Sequence, residues 1–366
     1  MLQENAKVKF SGALFFTSFI AHSAILVLLF FRSNEDLMQV LGRGDGWSYL
    51  AVADCILSGN KPQDLFNLRV FPGWPIAFLP VYLLTNSLWG PILLGIILAS
   101  LLPVFHYQLT GHKFSSTVMI CGTPALLVSP AYLMSESLFL ALIYLACLSS
   151  RSSKHYLAAI ITGLTAWVRP VAFFLWCGQT LVLLQQKQYR IAITTSAIAG
   201  FAASSLFLFN FAIFQDPFIQ FNQYGTLPNI SDTHREMLGL ADGTGSHSGL
   251  PFSNFIAASL RTSPPLWKQI FIWGHAICLC LILLWSMLNF KFHDKNRVLH
   301  CINATGMGLF IFSTGPYWAF YSFDRYFVWA LPSYLILLEP WLPKRMIGAI
   351  TICILCFGCA LVAIYK

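Results

Sequence analysis

From Phe10 to Phe31 the chain carries no Asp, Glu, Lys or Arg, and that uncharged apolar run is long enough to cross a bilayer. Further apolar stretches follow at 88–109, 116–131, 137–150, 155–168, 171–184, 191–214, 266–290, 298–313, 326–338 and 346–365. Soluble domains hold roughly 25% charged residues, whereas this chain holds 10% charged and 57% hydrophobic ones. It therefore lacks the polar residues to cover a water-facing surface. The spans predict an all-α polytopic membrane protein of about 11–13 transmembrane helices, with residues 1–366 forming a single integral membrane domain. A soluble enzyme, a secreted disulfide scaffold and a nucleic-acid-binding domain are excluded. The segment 70–84 is ambiguous: it is short, contains Pro72, Pro75 and Pro80, and reads as a broken or re-entrant helix.

The net charge of +8 has the form of a topology signal, because the basic residues lie mostly in short loops between apolar runs. With the N-terminus inside, Lys7/Lys9, Lys113, Arg151/Lys154, Lys187/Arg190, Lys291/Lys295/Arg297 and Lys344/Arg345 all fall on the cytoplasmic side. The opposite face receives two long connections, 32–69 and 215–265. It also receives nearly every unusual polar motif: GDGWSY (44–49), FPGWP (71–75), MSES (134–137), VRP (168–170) and FDRY (323–326). Of ten cysteines, all but Cys55 sit in apolar runs and read as small buried hydrophobes rather than a disulfide framework. Cys353, Cys356 and Cys359 have no polar ligands beside them, and the nine His residues show no metal-ligand pair, so no metal site is expected.

In the first outer loop, Asp45, Tyr49 and Ala53 recur at helical spacing after a Gly-rich turn, which predicts a short helix along the membrane surface beginning at Asp45. A carboxylate there can accept a proton from a hydroxyl about 3 Å away, or can simply cap the helix. Glu136 lies at the membrane boundary, where an ionisable side chain faces a cavity or partner, or caps the next helix. Arg169 and Arg325 end apolar stretches on the same face. Their planar forks suit phosphate oxygens, the alternative being snorkelling or, for Arg325, pairing with Asp324. Trp47, Trp74, Tyr317 and Trp318 read as an interfacial aromatic belt.

Taken in order, GD-x-x-x-Y-x-x-x-A, FP-x-x-P, SP-x-x-x-x-SESLF, G-L-x-A-x-x-RP and RY-x-x-x-x-LP resemble polyprenyl-phosphate-sugar-dependent glycosyltransferases of the GT-C superfamily. Within it the pattern most resembles the GPI mannosyltransferase II type and its bacterial relatives. The likeness covers roughly residues 10–185 and 300–340; where eukaryotic members read W-D-x-x-H-F, this chain reads G-D-G-W-S-Y without the histidine. The resemblance implies a GT-C-like bundle and an inverting transfer of a hexose, with mannose expected, to a lipid-linked or glycan acceptor. It makes Asp45 the base, gives the donor phosphate to Arg325 and Arg169, and assigns substrate contacts to Tyr49, Trp47, Trp74, Glu136, Asp324 and Tyr326. No cofactor is required beyond the polyprenyl-phosphate sugar. The expected setting is a bacterial inner membrane or ER membrane, with the site on the non-cytoplasmic side. The alternatives are a transporter or lipid flippase, for which charged mid-membrane helices and an inverted repeat are expected but absent from the sequence, and a non-catalytic subunit of a transferase complex.

Overall fold

A computed structural model describes residues 2–34, 36–41, 45–60, 65–225, 328, 331–339 and 346–365. Among them every regular element is helical: α1 (Leu2–Arg32), α2 (Leu37–Leu41), α3 (Gly46–Ser58), a 3₁₀ turn (Leu65–Arg69), α4 (Gly73–Thr85) and α5 (Trp89–Thr110). Then come α6 (Lys113–Val118), α7 (Pro124–Val128), α8 (Glu136–Arg151), α9 (His155–Thr165), a 3₁₀ turn (Pro170–Ala172), α10 (Phe173–Gln185), α11 (Tyr189–Phe214) and α12 (Ile219–Gly225). Leu331–Leu338 (α13) and Met346–Tyr365 (α14) complete the described helices.

Three of these are long and apolar enough to cross a membrane: Lys7–Arg32, Trp89–Thr110 and Tyr189–Phe214, of 26, 22 and 26 residues. At about 1.5 Å per residue the shortest of them covers the roughly 30 Å of a hydrocarbon core. Gly73–Thr85, His155–Thr165, Phe173–Gln185 and Ile347–Leu361 are apolar but shorter. The segment 70–84 resolves as α4, whose 13 residues reach only about 20 Å. Its Pro72 and Pro75 fall at the helix start, where no backbone donor is lost, and Asn86 in the left-handed region (φ 47°) turns the chain into α5.

The stretch 116–131, expected as one span, is broken into α6 and α7. Local chemistry explains the break. Gly122 takes φ +58°, and Pro124 holds Thr123 in an extended conformation (φ −130°, ψ 160°), from which the Thr123 hydroxyl accepts the Leu126 N–H at 3.1 Å. Carbonyls along the broken region are taken up by neighbouring helices. Ser18 donates to Ile120 O (3.4 Å), His22 Nδ1–H to Leu127 O (3.0 Å) and Cys353 Sγ–H to Thr117 O (3.2 Å).

Helix directions follow from the side chains that meet. Phe10 packs on Tyr107 (4.9 Å between centroids) and Phe30 on Trp89 (5.3 Å), so α1 and α5 run antiparallel. Arg151, the last residue of α8, donates to the Gln108 and Leu109 carbonyls near the end of α5, so those helices run parallel. Beside α9, Gly163 lets α11 approach until an added Cβ would stand 2.5 Å from Ala199 O, a small-residue helix contact. These directions separate the charges. Lys7, Lys9, Lys113, Arg151, Lys154, Lys187 and Arg190 gather at one end of the bundle, and Asp45, Arg69, Glu136 and Arg169 at the other.

Candidate active site

Four motifs separated in sequence meet at that second end, and two motif glycines mark where backbones touch. A Cβ on Gly46 would stand 2.8 Å from Tyr132 O, and one on Gly73 would stand 2.7 Å from the Trp167 carbonyl carbon and oxygen. Gly73 N–H also donates to Trp167 O at 2.8 Å. Thus the start of α3 lies against the SPAYLMSES segment at Tyr132, and the start of α4 lies against the end of the α9 region leading into Arg169.

Asp45 occupies the N-cap position of α3, but its side chain makes no cap hydrogen bond. Its Oδ1 instead accepts from Arg69 Nη2 at 2.8 Å; the Asp45 side chain is 24% exposed and that of Arg69 16%. Arg69 Nη1 donates to Ser48 Oγ (2.8 Å), and Ser48 donates in turn to Asn67 Oδ1 (3.0 Å). The capping alternative for Asp45 is therefore not adopted: the carboxylate makes a charge-assisted bond to a guanidinium instead of bonds to the backbone N–H groups of its own helix.

One helical turn after Asp45, the Tyr49 side chain is buried and its O–H donates to Ser135 Oγ at 2.8 Å. The Ser135 Oγ also accepts from Arg169 Nε at 3.2 Å, and Arg169 Nη2 pairs with Glu136 Oε1. Glu136 is wholly buried at the first position of α8, and the Arg169 guanidinium also lies over the Phe139 ring at 5.8 Å from its centroid. Glu136 is thus held by a specific cation rather than by the helix terminus alone. Arg169, expected to face a phosphate, is charge-balanced by that carboxylate.

The aromatics divide. Trp47 is half exposed on α3. Trp74 is completely buried, with its N–H donated to Leu133 O (2.9 Å) and its ring edge-on to Phe78, so no face remains for a sugar or for the interface. That expectation is corrected: FPGWP is a packing motif, with the tryptophan holding Leu133, whose φ of 54° is unusual for a bulky residue. Asp54 points away from this cluster on the exposed side of α3, and partial burial raises its carboxyl above the usual carboxylate range. Asp324, Arg325 and Tyr326, with Tyr317 and Trp318, lie outside the described residues, as does most of 215–265. The described part of that loop, α12, packs on the 3₁₀ turn carrying Arg69 and is tied back by Asn210 Nδ2 donating to Gln220 Oε1 at 2.6 Å.

Sequence reasoning assigned no role to Arg69, Ser48, Asn67 or the Ser135 hydroxyl. Arg69 did leave a signal: it is a basic residue in the long loop opposite the cluster of basic loops, against the positive-inside pattern. Among the described residues, no group of three or more His, Cys, Asp or Glu is placed to hold a metal ion. No family model, curated protein or solved structure matches this chain.

Proposed function

We propose that this chain is a membrane-embedded inverting glycosyltransferase that moves a hexose, mannose being the first candidate, from a polyprenyl-phosphate carrier to a lipid-linked or glycan acceptor. The observation that supports this reading is the position of Asp45: a partly exposed carboxylate at the start of a short helix, paired with Arg69 rather than capping, on a helix whose Tyr49 is bonded to Ser135 and through it to Arg169. The polytopic membrane topology, with the basic end of the bundle in the cytoplasm and the Asp45 end outside, is part of the proposal and draws on the charge separation.

In this mechanism Asp45 takes the proton of the acceptor hydroxyl as its oxygen attacks the anomeric carbon from the face opposite the carrier. The new glycosidic C–O bond forms as the bond to the phosphate oxygen breaks, and the lipid phosphate leaves with the bonding pair. Glu136 already balances Arg169, so Arg325 is the cation assigned to the departing phosphate, and Arg169 supplies hydrogen bonds from its remaining N–H groups. The apolar helices hold the polyprenyl tail.

The test is transfer of label from radiolabelled polyprenyl-phosphate mannose, and from the glucosyl donor in parallel, in membranes bearing wild type or Asp45→Asn at matched levels. Label should enter an acceptor with wild type alone. Equal transfer by Asp45→Asn removes Asp45 from the base role and favours a non-catalytic subunit; no transfer from any donor overturns the reading.

A further inference from the structure

We propose that Arg69 is the positioning residue for the Asp45 carboxylate, an inference that rests on the reading of Asp45 as the base. The default fate of an aspartate at an N-cap is to turn back onto the first backbone N–H groups of its own helix. In that conformation the carboxylate is occupied by α3. Here the carboxylate makes no cap bond, and its Oδ1 accepts from a guanidinium that arrives from a turn 24 residues further along the chain.

Two contacts make this a grip rather than a chance surface pair. The Arg69 fork spans the first turn of α3, one Nη on Asp45 and the other on Ser48, and Asn67 of the same 3₁₀ turn receives the Ser48 proton. The turn is itself backed by α12. A planar fork held at both tines fixes direction as well as distance, which an ammonium group on a flexible stem cannot do. Proton transfer from an acceptor hydroxyl needs the carboxylate within about 3 Å, and a misplacement of about 1 Å costs on the order of 100-fold in rate. The geometry therefore assigns the loss on removing Arg69 to kcat. A phosphate ligand would put its loss on the donor KM.

The experiment compares wild type, Arg69→Gln, Arg69→Lys and Asp45→Asn for kcat and donor KM, with the melting temperature of each purified protein in detergent. Arg69→Gln should lower kcat about 100-fold with donor KM within about twofold, and Arg69→Lys should recover only part of it. Unchanged kcat in Arg69→Gln, or a loss confined to donor KM, overturns the proposal. Asp45→Asn with wild-type activity instead sinks the glycosyltransferase base, a distinguishable result. A readout independent of activity completes the test. The Asp45→Cys thiol should be alkylated by iodoacetamide at pH 7 at least about threefold faster with Arg69 present than in the Arg69→Gln background, because a neighbouring guanidinium favours the thiolate. Equal rates show that Arg69 does not govern this position and overturn the proposal.

Discussion

Tyr49 and Ser135, 86 residues apart in sequence, are joined by a 2.8 Å hydrogen bond that docks α3 onto the start of α8. The Ser135 hydroxyl also receives Arg169 Nε–H, so one small buried oxygen links the helix that begins at Asp45 to the Glu136–Arg169 pair.

Tyr49→Phe keeps the ring and removes only the O–H. It should cost about 1 kcal/mol of stability, while Ser135→Ala, which removes an acceptor shared by Tyr49 and Arg169, should cost about 1–3 kcal/mol. Thermal unfolding in detergent ranks the two; equal effects contradict the shared-acceptor geometry.

The Glu136–Arg169 pair sets a second expectation. Replacing Arg169 by Ala leaves the wholly buried Glu136 carboxylate uncompensated and should destabilise by about 3–5 kcal/mol, whereas Glu136→Ala leaves a partly exposed guanidinium and should cost less. The double variant Glu136→Gln/Arg169→Gln should be less damaged than the sum of its singles, and a strictly additive cycle contradicts coupling.

Gly73→Ala places a methyl against the Trp167 backbone and should cost about 1–3 kcal/mol, with lower transfer activity. Gly12→Ala, where nothing stands within 4 Å, should be stable and fully active. Chemical unfolding of both variants measures the contrast, and a tolerant Gly73 removes the close approach of α4 to the Arg169 segment.

The two ends of the bundle should label from opposite sides of a sealed membrane. In a chain whose native cysteines are replaced, Trp47→Cys should react with an impermeant maleimide from the non-cytoplasmic side, and Lys154→Cys only after the membrane is opened. Labelling of both from one side contradicts the proposed topology.

Hydropathy alone determined that the chain is helical and apolar, because a run such as Phe10–Phe31 has few other ways to satisfy its backbone away from water. The start of α3 at Gly46 was also local, carried by the spacing of Asp45, Tyr49 and Ala53. So was the isolation of Gly46 and Gly73 within short motifs, although what they touch was not. Tertiary structure decided the rest. Whether Asp45 caps its helix or meets Arg69 depends on where a turn 24 residues away is packed. Whether Trp74 faces a ligand or the interior depends on Leu133, 59 residues on. The break between α6 and α7 shows the same division: Gly122 and Pro124 supply the local cause, and Ser18 and His22 on α1 supply hydrogen bonds to the carbonyls around it. Apolar periodicity is a property of neighbours along the chain. The partner of a polar side chain is set by which helix faces it across the bundle, and five-residue motifs do not encode that choice.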